Sequence, residues 1–194
     1  MEHLPIVSEH SNEELGTLPR SEAIATGAWC RSTNVFVVNS AGQLLCHQRS
    51  MLKERLPGGW STHVGGHVGV GETYESNALK ELEEEAGLIV KPEQLIQWRT
   101  TKLDKSRLWV REYVVLADHP ESHFIPQPGE VEQFKWMSVR DILRSAEGNP
   151  GQWFAGTHDL RTEYEAMRAA LVVAHTLGAC EVPKEMHSWQ PLLA

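Results

Sequence analysis

Gly65-Gly66-His67-Val68-Gly69-Val70-Gly71-Glu72, followed after seven residues by Lys80-Glu81-Leu82-Glu83-Glu84-Glu85-Ala86-Gly87-Leu88, is the stretch on which the reading of the chain turns. Residues 75–86 are rich in Ala, Leu and Glu, and Ala78, Leu82 and Ala86 recur every fourth residue. That spacing predicts a helix with one apolar stripe, stopped at Gly87. Glu81, Glu84 and Glu85 stand at i, i+3 and i+4 and share a face roughly opposite the stripe. Like charges so placed repel one another unless something neutralises them, and a hard divalent cation with oxygen ligands does so. The glycines just upstream let the backbone approach a ligand closely and aim carbonyls at a metal. Glu72 closes the loop, placed to fix the start of the helix or to orient a ligand. A Glu-rich helix alone is ordinarily a solvated face; the glycine loop and Glu72 make this one a candidate metal site.

Working outward, residues 33–38 are β-branched and apolar, Asn39-Ser40-Ala41-Gly42 signals a turn, and the chain returns as a strand, so 33–49 reads as a hairpin. Pro57-Gly58-Gly59 breaks the chain, and residues 60–65 run extended into the glycine loop. Further strands are expected at 94–100, 108–117 and 131–137. Ser138 is placed to cap a short helix through Leu143, and a longer helix is expected over 160–177. Residues 1–31 are weakly patterned and read as a leader packed on the domain, with room for one short strand. Residues 32–194 then form a single α/β domain that includes the C-terminal helix.

Composition narrows the function classes. The 194 residues are 41% hydrophobic and 23% charged, with a net charge of −8. An acidic balance argues against a nucleic-acid polymer as partner, since that asks for a basic face. A small phosphorylated substrate stays compatible, because a divalent cation neutralises carboxylates and phosphates together. Cys30, Cys46 and Cys180 are too few and too irregular for a disulfide framework or a zinc site, and suggest reduced thiols. No apolar run has the length of a membrane span and no signal-peptide pattern opens the chain, so a cytoplasmic location is expected.

The quoted stretch resembles the Nudix box, G-x5-E-x7-R-E-U-x-E-E-x-G-U with U a bulky aliphatic residue. Gly66, Glu72, Glu81, Leu82, Glu84, Glu85, Gly87 and Leu88 fill its fixed positions, and Lys80 stands where the family has Arg. The resemblance implies an α/β/α sandwich around a mixed β-sheet, with the box as a loop–helix–loop catalytic motif. It implies that Glu81, Glu84 and Glu85 bind Mg²⁺ or Mn²⁺ with help from a main-chain carbonyl near Gly65. The implied reaction is hydrolysis of a phosphoanhydride bond in a small, nucleoside-diphosphate-linked substrate, with metal-polarised phosphoryl oxygens and an activated water. The general base differs between family members: a box glutamate, Glu84 or Glu85, or a carboxylate from elsewhere. Gly66, Glu72, Lys80 and Gly87 carry the structural positions of the motif. Arg holds a carboxylate with two parallel hydrogen bonds where Lys offers a point charge, so Lys80, able to pair with Glu84 at i+4, implies looser positioning. Homodimers are common in the family.

From about Arg20 to Trp136 the chain is similar to the branch that includes isopentenyl diphosphate isomerase, through residues 39–45, Gln48-Arg49-Ser50, Lys53, Pro57, Trp60 and Gly66-His67. Gly65 stands where that enzyme has its catalytic cysteine, and Cys30 falls where it has a metal-binding histidine. Isomerase activity is therefore the alternative, beside a non-catalytic nucleotide binder, which would have no need of Glu81, Glu84 and Glu85. In this branch carboxylates at the place of Glu130 and Glu132 reach the metal site, and either is a candidate ligand or general base; solvated charges are the other reading. Arg49 is a candidate for the distal phosphate or else a surface salt bridge, and His67 a candidate for metal or phosphate contact. His63 reads as a packing or hydrogen-bonding residue. Trp60, Trp153 and Phe154 read as core or interface in preference to a base-stacking platform.

Overall fold

The computed structural model describes residues 2–154 and 160–176. The N-terminal stretch carries more than the one strand expected of it: β1 (His3–Val7) pairs antiparallel with β2 (Glu14–Pro19), and α1 (Arg20–Thr26) follows. Leu4, Ala23 and Cys30 form its own small core, which no helical or alternating pattern of useful length announces. The hairpin docks on the rest of the chain through polar contacts. Trp109 Nε1 donates to the Ser8 carbonyl at 3.1 Å, and Arg31 Nε donates to Asn12 Oδ1 at 3.0 Å.

The main sheet is built around β3 (Cys30–Val38), which starts slightly earlier than the sequence pattern suggests. It runs parallel to β7 (Leu108–Leu116), which pairs antiparallel with β6 (Ile96–Leu103). On its other edge β3 meets β4 (Leu44–Arg49) only at Val38↔Leu44. Beyond that point the chain through β5 (Trp60–Ser61) wedges between them. Trp60 and Ser61 pair with Gln48 and His47, then Val64 and His67 bridge to Val35 and Ser32. The outer edge of β4 carries β8 (Val131–Met137), antiparallel. This wedge delivers the glycine loop to the middle of the sheet.

Alternation along β3 sends Val35 and Val37 to one face and Phe36 and Val38 to the other, and both faces are covered. Ala78, Leu82 and Ala86 of α2 (Tyr74–Ala86) pack on the first face. Ile142 of α3 (Val139–Gly148) and Leu160, Met167 and Leu171 of α4 (Leu160–Thr176) pack on the second. The result is the expected α/β/α sandwich around a mixed sheet. The third expected strand starts late, at Ile96, because Pro92–Gln94 takes a single helical turn first. Ser138 caps α3 as expected, its Oγ accepting from the Asp141 amide at 3.1 Å, and the helix runs past Leu143 to Gly148. Cys30 and Cys46 are buried free thiols; Cys180 and Leu177 lie outside the described residues. Among the described residues no helix is long and apolar enough to cross a membrane.

Candidate functional site

The site forms where α2 faces the glycine loop. Thr73 opens α2 in a capping box with Ser76, and Gly87 closes it in the left-handed conformation at φ 64°. The loop is held against β3 by the Thr33 amide and Ser32 Oγ, each donating to the Gly66 carbonyl at 2.9 Å. Gly65 has φ +150°, and a Cβ there would stand 2.0 Å from the Thr33 carbonyl oxygen. A Cβ on Gly66 would stand 2.4 Å from Glu81 Oε1, so the bare α-carbon is what lets the Glu81 carboxylate lie against the loop. Glu85 reaches the same loop, its Oε2 accepting from the Gly65 amide at 3.3 Å.

Burial and the neighbouring charge of Glu81 push the Glu85 carboxyl up to about 8, against the pull of the Gly65 amide. Burial also raises the Glu81 pKa, with Lys80 opposing and Glu84 adding to the rise. Two half-buried carboxylates face one loop, each with its charged form disfavoured by burial and by a neighbouring glutamate, and a divalent cation there would favour that form. The donor set therefore fits a hard, oxygen-ligated ion. Among the described residues no three acidic or imidazole groups already converge closely enough to grip one. Glu84 lies exposed on the next turn, away from the loop contacts that Glu81 and Glu85 make.

Glu72 is tied down on both oxygens. The Gly69 amide donates to Oε2 at 2.7 Å, Asn77 Nδ2 donates to the same oxygen at 3.1 Å, and Lys80 Nζ lies 3.1 Å from Oε1. Burial raises its pKa, but these three donors more than offset that and leave it below the usual value. Lys80 thus pairs with Glu72, not with Glu84 as the i+4 spacing suggested. A pinned acceptor costs less side-chain entropy to bond than an exposed, mobile one.

The pair left unseparated by sequence divides by contact. The loop after β7 docks on the end of α2, the Ile125 and Gln127 amides donating to the Ala86 and Glu85 carbonyls at 2.9 and 3.3 Å. That carries Glu130 to within electrostatic reach of Glu85, in an ion pair with Lys53. Glu132 turns to the 50–59 loop instead, accepting from Ser50 Oγ at 2.9 Å and from the Met51 amide at 3.1 Å. Arg49 donates through Nε and Nη2 to the Arg55 carbonyl at 3.1 and 3.0 Å and lies over the Phe154 ring. Burial lowers its pKa, while Glu85 and Glu130 are close enough to favour its cation. The charged neighbours of His67 are Arg20, at the start of α1, and Glu2, just before β1, and its backbone carbonyl accepts from Asn77 at 3.1 Å. His63 packs against Phe36 and Phe154; Trp153 is core, its ring against Trp60.

Asn77 is the site residue that motif reading missed. It occupies an unconstrained position of the box, and its only advance signal is a polar side chain one turn before Glu81. Lys53 entered the sequence reading only through the isomerase-branch resemblance, without a role, and Arg55 not at all, since their places depend on how the 50–59 loop folds back.

The NUDIX domain family matches residues 29–155. An uncharacterised Nudix hydrolase of Nostoc is 44% identical over 147 residues, 74% of this chain and 84% of that protein. An isopentenyl-diphosphate Delta-isomerase of Aliivibrio fischeri is 26% identical over 165 residues, 79% of this chain and 91% of that protein. Among solved structures, DR0079 from Deinococcus radiodurans superposes with a TM-score of 0.67 at 26% identity, covering 87% of this chain and 99% of that one. With the box geometry and the sandwich around it, these similarities settle the family: the chain belongs to the Nudix family, as a hydrolase of the pyrophosphohydrolase type.

Proposed function

We propose that the protein hydrolyses a phosphoanhydride bond in a small, nucleoside-diphosphate-linked substrate, using Mg²⁺ or Mn²⁺ held by Glu81, Glu84, Glu85 and the Gly65 carbonyl. The observation that carries this reading is the Glu81–Glu85 pair against the glycine loop, with Glu85 pushed up to about 8 by burial and by the charge of Glu81. When bound, the ion polarises phosphoryl oxygens and lowers the pKa of the attacking water. Arg49 sits beside Glu85 and Glu130, where its guanidinium takes the distal phosphate. Water attacks one phosphorus, the bridging P–O bond breaks, and the leaving phosphate departs with the bond electrons. The water proton passes to a carboxylate: Glu130 is favoured because the Lys53 pair fixes it next to Glu85. Glu132 then serves the 50–59 loop that carries Arg49's partner. Lys80 and Glu72 brace the loop, and residues 1–31 form a leader on a 32–194 catalytic domain. A cytoplasmic location and a homodimer complete the proposal.

The test is a panel of nucleoside-diphosphate-linked compounds with Mg²⁺ or Mn²⁺, scored by nucleoside monophosphate release. Glu81→Gln and Glu85→Gln are expected to lose turnover while keeping the wild-type circular dichroism spectrum. Wild-type rates in both variants overturn the site. The similarity to isomerases makes allylic diphosphate formation without phosphate release the second reading, and the same reactions assayed with isopentenyl diphosphate decide it.

A further inference from the structure

Asn77 is fully buried in α2, yet every polar atom of its side chain is used. Thr33 Oγ1 on β3 donates to its Oδ1 at 2.6 Å. On the other side Nδ2 faces three oxygens: the His67 carbonyl at 3.1 Å, Glu72 Oε2 at 3.1 Å and Glu81 Oε1 at 3.4 Å. A carbonyl and two carboxylates cannot donate, so they fix which end of the amide is nitrogen. An amide nitrogen has two hydrogens, so three acceptors must share them. The long contact to Glu81 is the one that yields when Glu81 turns to another partner, and Glu72 and His67 then keep a hydrogen each.

From this geometry we infer that Asn77 is a positioning residue for metal binding: anchored by Thr33, it holds Glu81 at the glycine loop and releases it to the ion. It stands in for part of what the missing box arginine would do. Lys80 reaches one oxygen of Glu72, and Asn77 and the Gly69 amide take the other, so the carboxylate is held on both sides without a fork of parallel donors. Thr33 lies on β3 and His67 in the loop, so one amide fastens strand, loop, brace and ligand together. The inference rests on the proposed role of Glu81 as a ligand.

Its test is direct Mn²⁺ binding, read as loss of the free-ion electron paramagnetic resonance signal, on the full chain and alongside thermal melts. Glu81→Gln serves as the control for the ligand itself. Asn77→Ala and Asn77→Asp both lose the donors, and the Mn²⁺ dissociation constant is expected to rise about tenfold in each, as for other residues that orient a metal ligand. Thr33→Val, which removes only the anchor, is expected to raise it roughly threefold, and Thr33→Ser, which keeps the hydroxyl, to restore it. If the Asn77 variants do not fold, the Thr33 pair decides alone. Lowered melting temperatures with wild-type Mn²⁺ affinity, or equal affinity in Thr33→Val and Thr33→Ser, overturn the inference by showing a purely structural role. Wild-type protein that binds no Mn²⁺, or binds it as well after Glu81→Gln, overturns the proposed site itself.

Discussion

Two adjacent glycines of the loop are expected to fail in opposite ways when a single methyl group is added. In Gly65→Ala the new Cβ lies 2.0 Å from the Thr33 carbonyl oxygen and 2.9 Å from its carbon, and φ is +150°. Both obstacles are backbone, so β3 and the loop must part and the Gly66–Thr33 and Val64–Val35 hydrogen bonds go with them. Overpacking costs ~1–3 kcal/mol and the backbone conformation a further ~1–3 kcal/mol, about 4 kcal/mol together. For a chain of this size that lowers the melting temperature by roughly 8–16 °C. In Gly66→Ala the obstacle is the end of a side chain, Glu81 Oε1 at 2.4 Å, against an ordinary contact of 3.4 Å or more. The carboxylate must retreat by at least 3.4 − 2.4 = 1.0 Å, which the Glu81 rotamers allow without moving the backbone. The melting temperature of the metal-free protein is then expected to fall by no more than about 3 °C, while the Mn²⁺ dissociation constant rises on the order of tenfold or more. Differential scanning fluorimetry and Mn²⁺ titration measure the two quantities on the same samples. Gly66→Ala with unaltered Mn²⁺ affinity, or Gly65→Ala as stable as wild type, refutes the reasoning.

Burial lowers the His63 pKa from 6.5 to about 4, against the pull of Glu112 and with help from Arg49, and lowers the His47 pKa to about 3, with His63, Arg49 and Lys53 adding to the fall. Both folded values lie below the unfolded one, so the unfolded chain binds more protons in that window and stability falls as pH drops from 6.5 through about 4. Chemical denaturation across that range measures the slope, and His63→Phe, which keeps a ring against Phe36 and Phe154, is expected to flatten it; an unchanged slope assigns the acid lability elsewhere. Lys80→Ala is expected to cost at most about 1 kcal/mol, because the ion pair with Glu72 is half-exposed and Glu72 keeps Gly69 and Asn77. A loss well beyond that in urea titrations contradicts the shared bracing of Glu72. Glu130→Gln is expected to lower kcat about a hundredfold as the proton acceptor is lost, whereas Glu132→Gln, which slackens the 50–59 loop, acts on KM by less than about tenfold. Steady-state kinetics that reverse the two assignments remove Glu130 from the chemistry.

Legibility in the sequence follows the range of the interactions. The helical spacing of Ala78, Leu82 and Ala86 and the β-branched run of β3 report local geometry, and both elements form with those residues fully or almost fully buried. Glu81 and Glu85 were legible for the same reason, since their separation along one helix fixes which way they face. What stayed hidden is decided by pairings between distant segments. Nothing local distinguishes Glu130 from Glu132: strand alternation gives both the same face, and only a loop docked on the end of α2 sends one to Lys53, within electrostatic reach of Glu85, and leaves the other to Ser50. Lys80 shows the same limit in reverse. Its i+4 neighbour Glu84 was the local choice, but Glu72 had already been immobilised by a loop amide and a buried asparagine, and a fixed acceptor wins over a mobile one. Asn77 combines both cases. Its place one turn before Glu81 is local and visible, while the Thr33 hydroxyl that turns its amide toward the carboxylates comes from β3, 44 residues away in sequence. A polar residue that a helix buries beside its own acidic face is thus a signal worth reading in this motif, because burial at that depth forces every donor and acceptor to find a partner and the nearest acceptors are the box carboxylates themselves.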